Sequence, residues 1–323
     1  MSLFRYRTTI YTFILPLFLI IIVSNAFAQG NDNQINSLNP SSDWWMWIIV
    51  LFIISFILGI IAVAAGVGGG VLFVPIVGSF FPFHIDFVRG AGLILALAGA
   101  LSAGPPLLKN GLANLRLALP FGLVASVFSF LGANFGLEML SPPDIQKILG
   151  FIILLVIVVM IVRKKDDLPE VKKQDTLGSF LGLSGIYHDL FLDKTIHWQI
   201  HRTLSGLILF AFIGFIAGML GLGAGWANVP VLNLWLGVPF RVSVASSKFI
   251  LSITDTSAAW VYANKGLILP IIAVPSIAGI VIGTKIGVKL LLKLKPQLLK
   301  WTVIIVLLFA SLRALLKGFH IWN

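Results

Sequence analysis

The chain has 323 residues, 58% of them hydrophobic and only 11% charged, with a net charge of +11. Soluble domains rarely exceed about half apolar residues, so this composition excludes a soluble enzyme and turns the positive charge from a nucleic-acid signal into one of loop charge beside membrane spans. Cysteine is absent, which excludes disulfides, thiol catalysis and thiolate metal sites.

In chain order, Arg5 and Arg7 precede an apolar stretch from Ile10 to Val23, and Ser24-Asn25-Ala26-Phe27-Ala28 follows. A basic flank, an apolar run and an Ala-x-Ala ending form a secretory signature. Residues 1–28 are therefore expected to be a signal peptide cleaved after Ala28; the alternative is an uncleaved signal anchor. Residues 29–43, polar and rich in Asn and Ser, are expected to be extracytoplasmic under either reading.

Ten apolar segments follow, bounded by Gly, Pro and charge. The first transmembrane repeat, 44–163, holds 44–64, 68–82, 87–108, 116–138 and 145–163. The second, 204–317, holds 204–222, 226–237, 243–264, 267–288 and 298–317. Starting outside at Asp43, ten crossings put Lys109, Arg116, Arg163, Lys164, Lys165, Lys172, Lys173, Lys194, Arg202, Arg241, Lys289, Lys293 and Lys295 in cytoplasmic loops. The outer loops then hold mostly His84, Asp86, Arg89, Asp144, Lys147 and Lys265. This bias agrees with the positive-inside rule, and Trp44, Trp45 and Trp47 stand where an interfacial anchor belongs.

The linker 164–203 starts as a charged segment. Its second part, Thr195-Ile196-His197-Trp198-Gln199-Ile200, alternates polar and apolar residues with the period of a strand. Gly182 to Tyr187 supplies a partner across a turn near Asp189 and Asp193, which predicts a small cytoplasmic β-hairpin. His188, His197 and His201 read as solvated or interfacial histidines and not as a metal site. On a strand, His197 and His201 stand roughly 13 Å apart, too far to share an ion.

The strongest feature is an internal repeat at an offset of 155 residues, the separation of Gly59 and Gly214. The same offset pairs Ala62 with Ala217, Gly66 with Gly221, Gly68 with Gly223, Gly70 with Gly225, Val74 with Val229 and Pro75 with Pro230. It continues without a gap to Ser102 with Ser257, Gly111 with Gly266, Pro120 with Pro275 and Gly132 with Gly287. Five crossings per half is an odd number, so the halves are expected to be inverted. Such halves enclose one site near the midplane and open it alternately to each side.

Each half carries a glycine block followed by Val-Pro: Gly66-Val67-Gly68-Gly69-Gly70 and Gly221-Leu222-Gly223-Ala224-Gly225. Each block stands before a segment short for a bilayer; 12 residues of helix rise only about 18 Å against a core of ~30 Å. Paired, glycine-interrupted short segments mark a transport site. A helix starting after each break would present unpaired N–H groups and a positive dipole end, suited to a small anion. Close helix packing is the competing role for such glycines.

The eighth segment is polar for a span: it holds Ser246, Ser247, Lys248, Ser252, Thr254, Asp255 and Ser257. Lys248 and Asp255, seven apart, share a helix face. Their repeat partners are Leu93 and Ala100, so the fold does not require these charges. Charges inside a span are costly and mark function. Lys248 is suited to attract an anion and Asp255 to carry a coupling proton; snorkelling from the cytoplasmic end is the other role open to Lys248. The candidate substrate-binding residues are therefore Gly66, Gly68, Gly69, Gly70, Gly221, Gly223, Gly225, Asn228, Ser246, Ser247, Lys248, Ser252, Asp255, Ser102 and Ser257. The second half is expected to supply most of the polar contacts.

On the duplicated Gly-x-Gly-x-Gly blocks with Val-Pro, the Ser246-Ser247 stretch, the Asn264-Lys265-Gly266 turn with its counterpart Lys109-Asn110-Gly111, and Gly185-Ile186-Tyr187-His188-Asp189, the chain resembles the TauE/SafE family of sulfite-exporter-like membrane transporters over roughly 48–317. The chain departs from the family pattern at Ala224, at Ala91-Gly92 and at the charges Lys248 and Asp255. The resemblance implies an all-α polytopic transporter of sulfite, sulfonates or related organosulfur anions. An anion channel is the alternative; it would need a continuous polar path, and only one segment is polar. His-Glu-x-x-His, Gly-x-Gly-Asp and Gly-x-Ser-x-Gly are absent, so no intramembrane enzyme is expected. No cofactor, metal or nucleic-acid partner is expected beside the bilayer and the anion.

Overall fold

The computed structural model describes residues 44–64, 68–109, 111–162, 171, 174–189 and 194–291, together with 304, 307–308 and 311–319. The expected signal sequence, the segment 29–43, Gly66, the charged start of the linker and much of the expected last span lie outside the described residues.

Apolar runs without water at hand satisfy their backbone only as helices, and the described chain is mostly helical. Five helices make up the first half: α1 (Trp44–Ala64), α2 (Gly69–Phe80), α3 (Ile85–Lys109), α4 (Leu115–Glu138) and α5 (Pro142–Val162). A short α6 (Thr176–Phe180) leads to strands β1 (Ser184–Asp189) and β2 (Lys194–Gln199). The second half has α7 (Thr203–Leu220), α8 (Gly225–Pro230), α9 (Phe240–Asn264) and α10 (Pro270–Leu291). Among the described residues, six helices are long and apolar enough to cross a membrane: α1, α3, α4, α5, α7 and α10. α9 is as long as α3 but too polar for that set, because it carries Arg241, Lys248, Asp255 and the hydroxyl run.

The short segments differ more than the repeat suggests. α2 stays α-helical through Pro75. The expected 226–237 helix is α only to Pro230, then widens to a π-turn over Val231–Trp235, closed by Leu236 N donating to Val231 O at 3.0 Å. Pro230 has no N–H to continue the regular ladder, and Gly237 at φ +81 ends the segment.

Glycines set how the helices pack. In α10, Gly279, Gly283 and Gly287 lie against the backbone of Phe52, Phe56 and Ile60 of α1, so those two helices run in the same direction. In α7, Gly214 and Gly218 lie against the carbonyls of Ala125 and Ser129 of α4, again in the same direction. α3 and α9 run oppositely: Arg89 lies over Tyr262 while Gly104 faces Phe249. The repeat offset relates these contacts to one another. Gly132 abuts the carbonyl of Phe215 and Gly287 abuts that of Ile60; Gly59 abuts that of Ile280 and Gly214 that of Ala125. At each of the four sites a Cβ would collide with backbone, which cannot yield as a side-chain tip can.

The hairpin forms as the alternation predicts, antiparallel, with Ile186 opposite His197 and Tyr187 opposite Ile196. Its buried Tyr187 and Trp198 join Leu117 and Phe121 of α4 and Leu236 beyond α8 in one apolar cluster. Asn114 fixes it further: its Nδ2 donates to Ser184 O at 3.4 Å, and its Oδ1 caps α4 by accepting from Leu117 N at 3.0 Å.

Candidate functional site

The two glycine breaks meet. In the first, α1 ends at Ala64 and Gly68 precedes α2 in an extended conformation, with no side chain capping the helix start. In the second, Gly221 at φ +70 ends α7, and Gly223 at φ +72 turns the chain into α8. Both are left-handed positions that side-chain-bearing residues rarely adopt. A Cβ on Gly225 would lie 2.5 Å from Gly68 N, and one on Gly70 2.6 Å from Leu222 O. Backbone therefore touches backbone between the halves, at the points where both helical ladders are interrupted.

Lys248, 4% exposed, lines a small cavity at the first break with Gly68 and Gly69. Leu251 of α9, Ala96, Gly99 and Ala100 of α3, Ala62 of α1, and Ile280 and Thr284 of α10 complete its walls. The start of α2 and one buried cation thus face the same space, an arrangement that suits an anion. Small residues at Ala96, Gly99 and Ala100 leave that space unfilled by side chains. Nothing in the one-dimensional pattern singles out α10, and its buried Thr284 becomes visible only as the repeat partner of the buried Ser129.

Asp255, fully buried, sits at the second break. Its Oδ1 accepts from Ala224 N at 3.4 Å, and a Cβ on Gly223 would lie 2.7 Å from Oδ2. Oδ2 has no hydrogen-bond partner among the described residues. Ala100, the repeat partner of Asp255, lines the first cavity. At the second break, then, the protein's own carboxylate occupies the amide end that would otherwise be open. The symmetric pair of anion-holding helix starts expected from sequence becomes one start facing Lys248 and one facing Asp255.

The remaining candidates separate into groups. Asn228, fully buried on α8, has neither Oδ1 nor Nδ2 bonded among the described residues. Ser246 Oγ accepts from Asn114 N at 3.0 Å and ties α9 to the loop before α4. Ser247 Oγ and Ser252 Oγ donate to their own helix, to Val244 O and Phe249 O, each at 2.8 Å. Ser102 Oγ donates to Val281 O of α10 at 3.2 Å, and Ser257 Oγ bonds Ser126 Oγ of α4 at 2.6 Å. Ser102 and Ser257 are repeat partners, as are Ser126 and Val281, so these are one interhelical contact made twice. Gly66 lies outside the described residues. Among the described residues no three His, Asp or Glu side chains group as a metal site would require.

Arg89 differs from its expected place in an outer loop. It is fully buried in α3. Its Nη1 donates to Asp86 Oδ1 at 2.6 Å, its Nη2 donates to Met219 O, and its guanidinium lies 5.4 Å from the centroid of the Tyr262 ring. His84, Asp86 and Arg89 read as loop because three polar residues fall within six positions. The helix nevertheless starts at Ile85, and a carboxylate three residues away lets the arginine be buried with its charge paired.

The profile of the family described as "Sulfite exporter TauE/SafE" matches residues 51–314. A probable membrane transporter protein of Methanocaldococcus jannaschii is 22% identical over 267 residues, covering 78% of this chain and 89% of that protein. A probable membrane transporter protein of Bacillus subtilis is 19% identical over 280 residues, covering 84% of this chain and 99% of its own length. A third, from Haemophilus influenzae, is 24% identical over 259 residues, covering 79% of this chain and 89% of that protein. No solved structure matches.

Proposed function

Since the chain belongs to the TauE/SafE family and is a multi-pass membrane transporter, we propose that it is a secondary transporter of small anions, of the sulfite, sulfonate or related organosulfur class, working by alternating access between inverted repeats. The observation that carries this reading is the meeting of the two glycine breaks beside two buried, opposite charges on α9. Lys248 and the start of α2 receive the anion; Asp255 at the second break carries a coupling proton. The opposite directions of α3 and α9, which are repeat equivalents, support the inversion, as do the paired glycine contacts. The substrate class rests on the family.

Domain limits follow the same reading: 1–28 a signal peptide or anchor, 29–43 extracytoplasmic, 44–163 and 204–317 the two repeats, and 164–203 a linker whose hairpin is cytoplasmic. The basic residues of that linker support its side of the membrane. Counterflow of labelled sulfite into proteoliposomes preloaded with sulfite or an alkanesulfonate tests the proposal. Exchange that saturates and weakens in Lys248→Met is the expected result. Unsaturable flux at all concentrations would instead indicate a channel, and absence of exchange with either anion would reject the substrate class.

A further inference from the structure

Arg89 and Tyr262 take no part in the proposed anion site, yet both are fully buried and both reach the last turn of α7. Tyr262 OH donates to Gly218 O at 3.2 Å, and Arg89 Nη2 donates to Met219 O. These two carbonyls belong to the final turn of a helix that stops at Leu220, so the α-helical ladder beyond them offers no donors. A cation at a helix C-terminus is also favoured by the dipole.

The surroundings are shaped for this contact. Gly136 of α4 lies against both Arg89 Nη2 and Met219 O; a Cβ there would come within 2.6 Å of each. Gly221 lies against the backbone of Arg89, where a Cβ would meet Arg89 Cα at 2.6 Å. Arg89 in turn is held by Asp86 and by the face of Tyr262. Two residues past Gly221 the chain reaches Gly223 and then Ala224, whose amide donates to Asp255. Lys248, Asp255 and Tyr262 recur every seven residues and occupy one buried stripe of α9, two turns or about 10 Å apart. One helix therefore holds the second break at two points: at its entry through Tyr262 and at its exit through Asp255.

We propose that Arg89 and Tyr262 are positioning residues: they clasp the C-terminal turn of α7 and so set the path of Gly221–Ala224 that brings the Ala224 amide to Asp255. Neither residue contacts Gly223–Gly225 through a side-chain hydrogen bond, so their effect there is transmitted by the backbone between.

Amide hydrogen exchange on the purified full-length protein tests this without a transported substrate. The variants are Tyr262→Phe, which removes one oxygen, Arg89→Lys, which keeps the charge but loses the fork, and Asp255→Asn. Tyr262→Phe and Arg89→Lys are expected to speed exchange severalfold at Leu220–Gly225, with the α1–α10 contact (residues 52–60 and 279–287) at its native rate. Asp255→Asn is expected to speed exchange at Gly223–Gly225 and leave Gly218–Leu220 protected. Faster exchange confined to Gly218–Gly221 in the clasp variants would mark a local cap only and overturn the positioning role. Unchanged exchange at the break in Tyr262→Phe, or a uniform rise across all helices, would overturn it too.

Discussion

The two glycine breaks are the same motif placed twice in one chain, and they are finished differently. At the first, Gly68 and Gly69 face a cavity walled by Ala96, Gly99 and Ala100, with Lys248 directed into it. At the second, Asp255 stands where the repeat puts Ala100, and its carboxylate takes the Ala224 amide. One substitution at equivalent positions thus turns an open helix start into an occupied one. Duplication supplies the scaffold, and divergence at 93/248 and 100/255 gives its two ends opposite charges. Under the proposed function, the anion and the coupling proton would take separate places without a separate fold for each.

The backbone contact between the breaks is the place to break this comparison most severely. Gly225→Val puts carbon onto Gly68 N and Cα, which cannot move without disturbing α2. Sulfite counterflow in proteoliposomes is expected to vanish, whereas Gly78→Ala, in α2 but away from the cavity, meets only side-chain tips of Ile85 and Val88 and is expected to retain flux. Equal behaviour of the two variants would remove the contact from the mechanism.

Next in size is Ala100→Asp, which gives the first break the residue of the second. It fills the cavity and puts a further carboxylate beside Lys248, taking the cation from the anion at a desolvation cost of several kcal/mol. Flux is expected to fall by about a hundredfold or more, while Ala100→Ser stays within about twofold.

Exchanging the charges themselves sharpens the division of labour. Lys248→Met is expected to raise the half-saturating anion concentration about tenfold, equivalent to ~1.4 kcal/mol of lost attraction. Asp255→Asn is expected to preserve anion exchange but abolish accumulation driven by a proton gradient. Proton-driven uptake at the native level in Asp255→Asn would remove this residue from coupling.

The smallest effects fall where the halves remain alike. Ser102→Ala and Ser257→Ala each remove one interhelical hydrogen bond from equivalent contacts. Each is expected to cost about 1 kcal/mol and to lower the melting temperature of the purified protein slightly, with flux unchanged. A large loss of flux in one of the two would return that serine to the anion path.

Much of the helix layout was legible because bilayer-length apolar runs and glycine breaks are local signals. Segments expected at 44–64, 116–138 and 243–264 correspond to Trp44–Ala64, Leu115–Glu138 and Phe240–Asn264. The hairpin was legible because strand alternation is local too. Arg89 was not: a charged residue beside His84 and Asp86 reads as loop, and only the packing of α4, α7 and α9 around it explains its burial. The walls of the cavity were equally hidden. Ala96, Gly99 and Ala100 are unremarkable in a span, and they matter because Lys248, 148 positions beyond Ala100 in sequence, faces them.

By itself the sequence determined that this chain spans a membrane, that its halves repeat at one offset, and that the repeat is broken by charge in the second half. These follow from composition and periodicity, which every residue carries with it. Only the tertiary structure decided which break faces Lys248 and which faces Asp255, and that Ser102 and Ser257 bond neighbouring helices. The reason is physical: a helix fixes which residues share a face, but which partner that face meets depends on close contacts such as Gly68 with Gly225, and those exist only when the two halves have packed together.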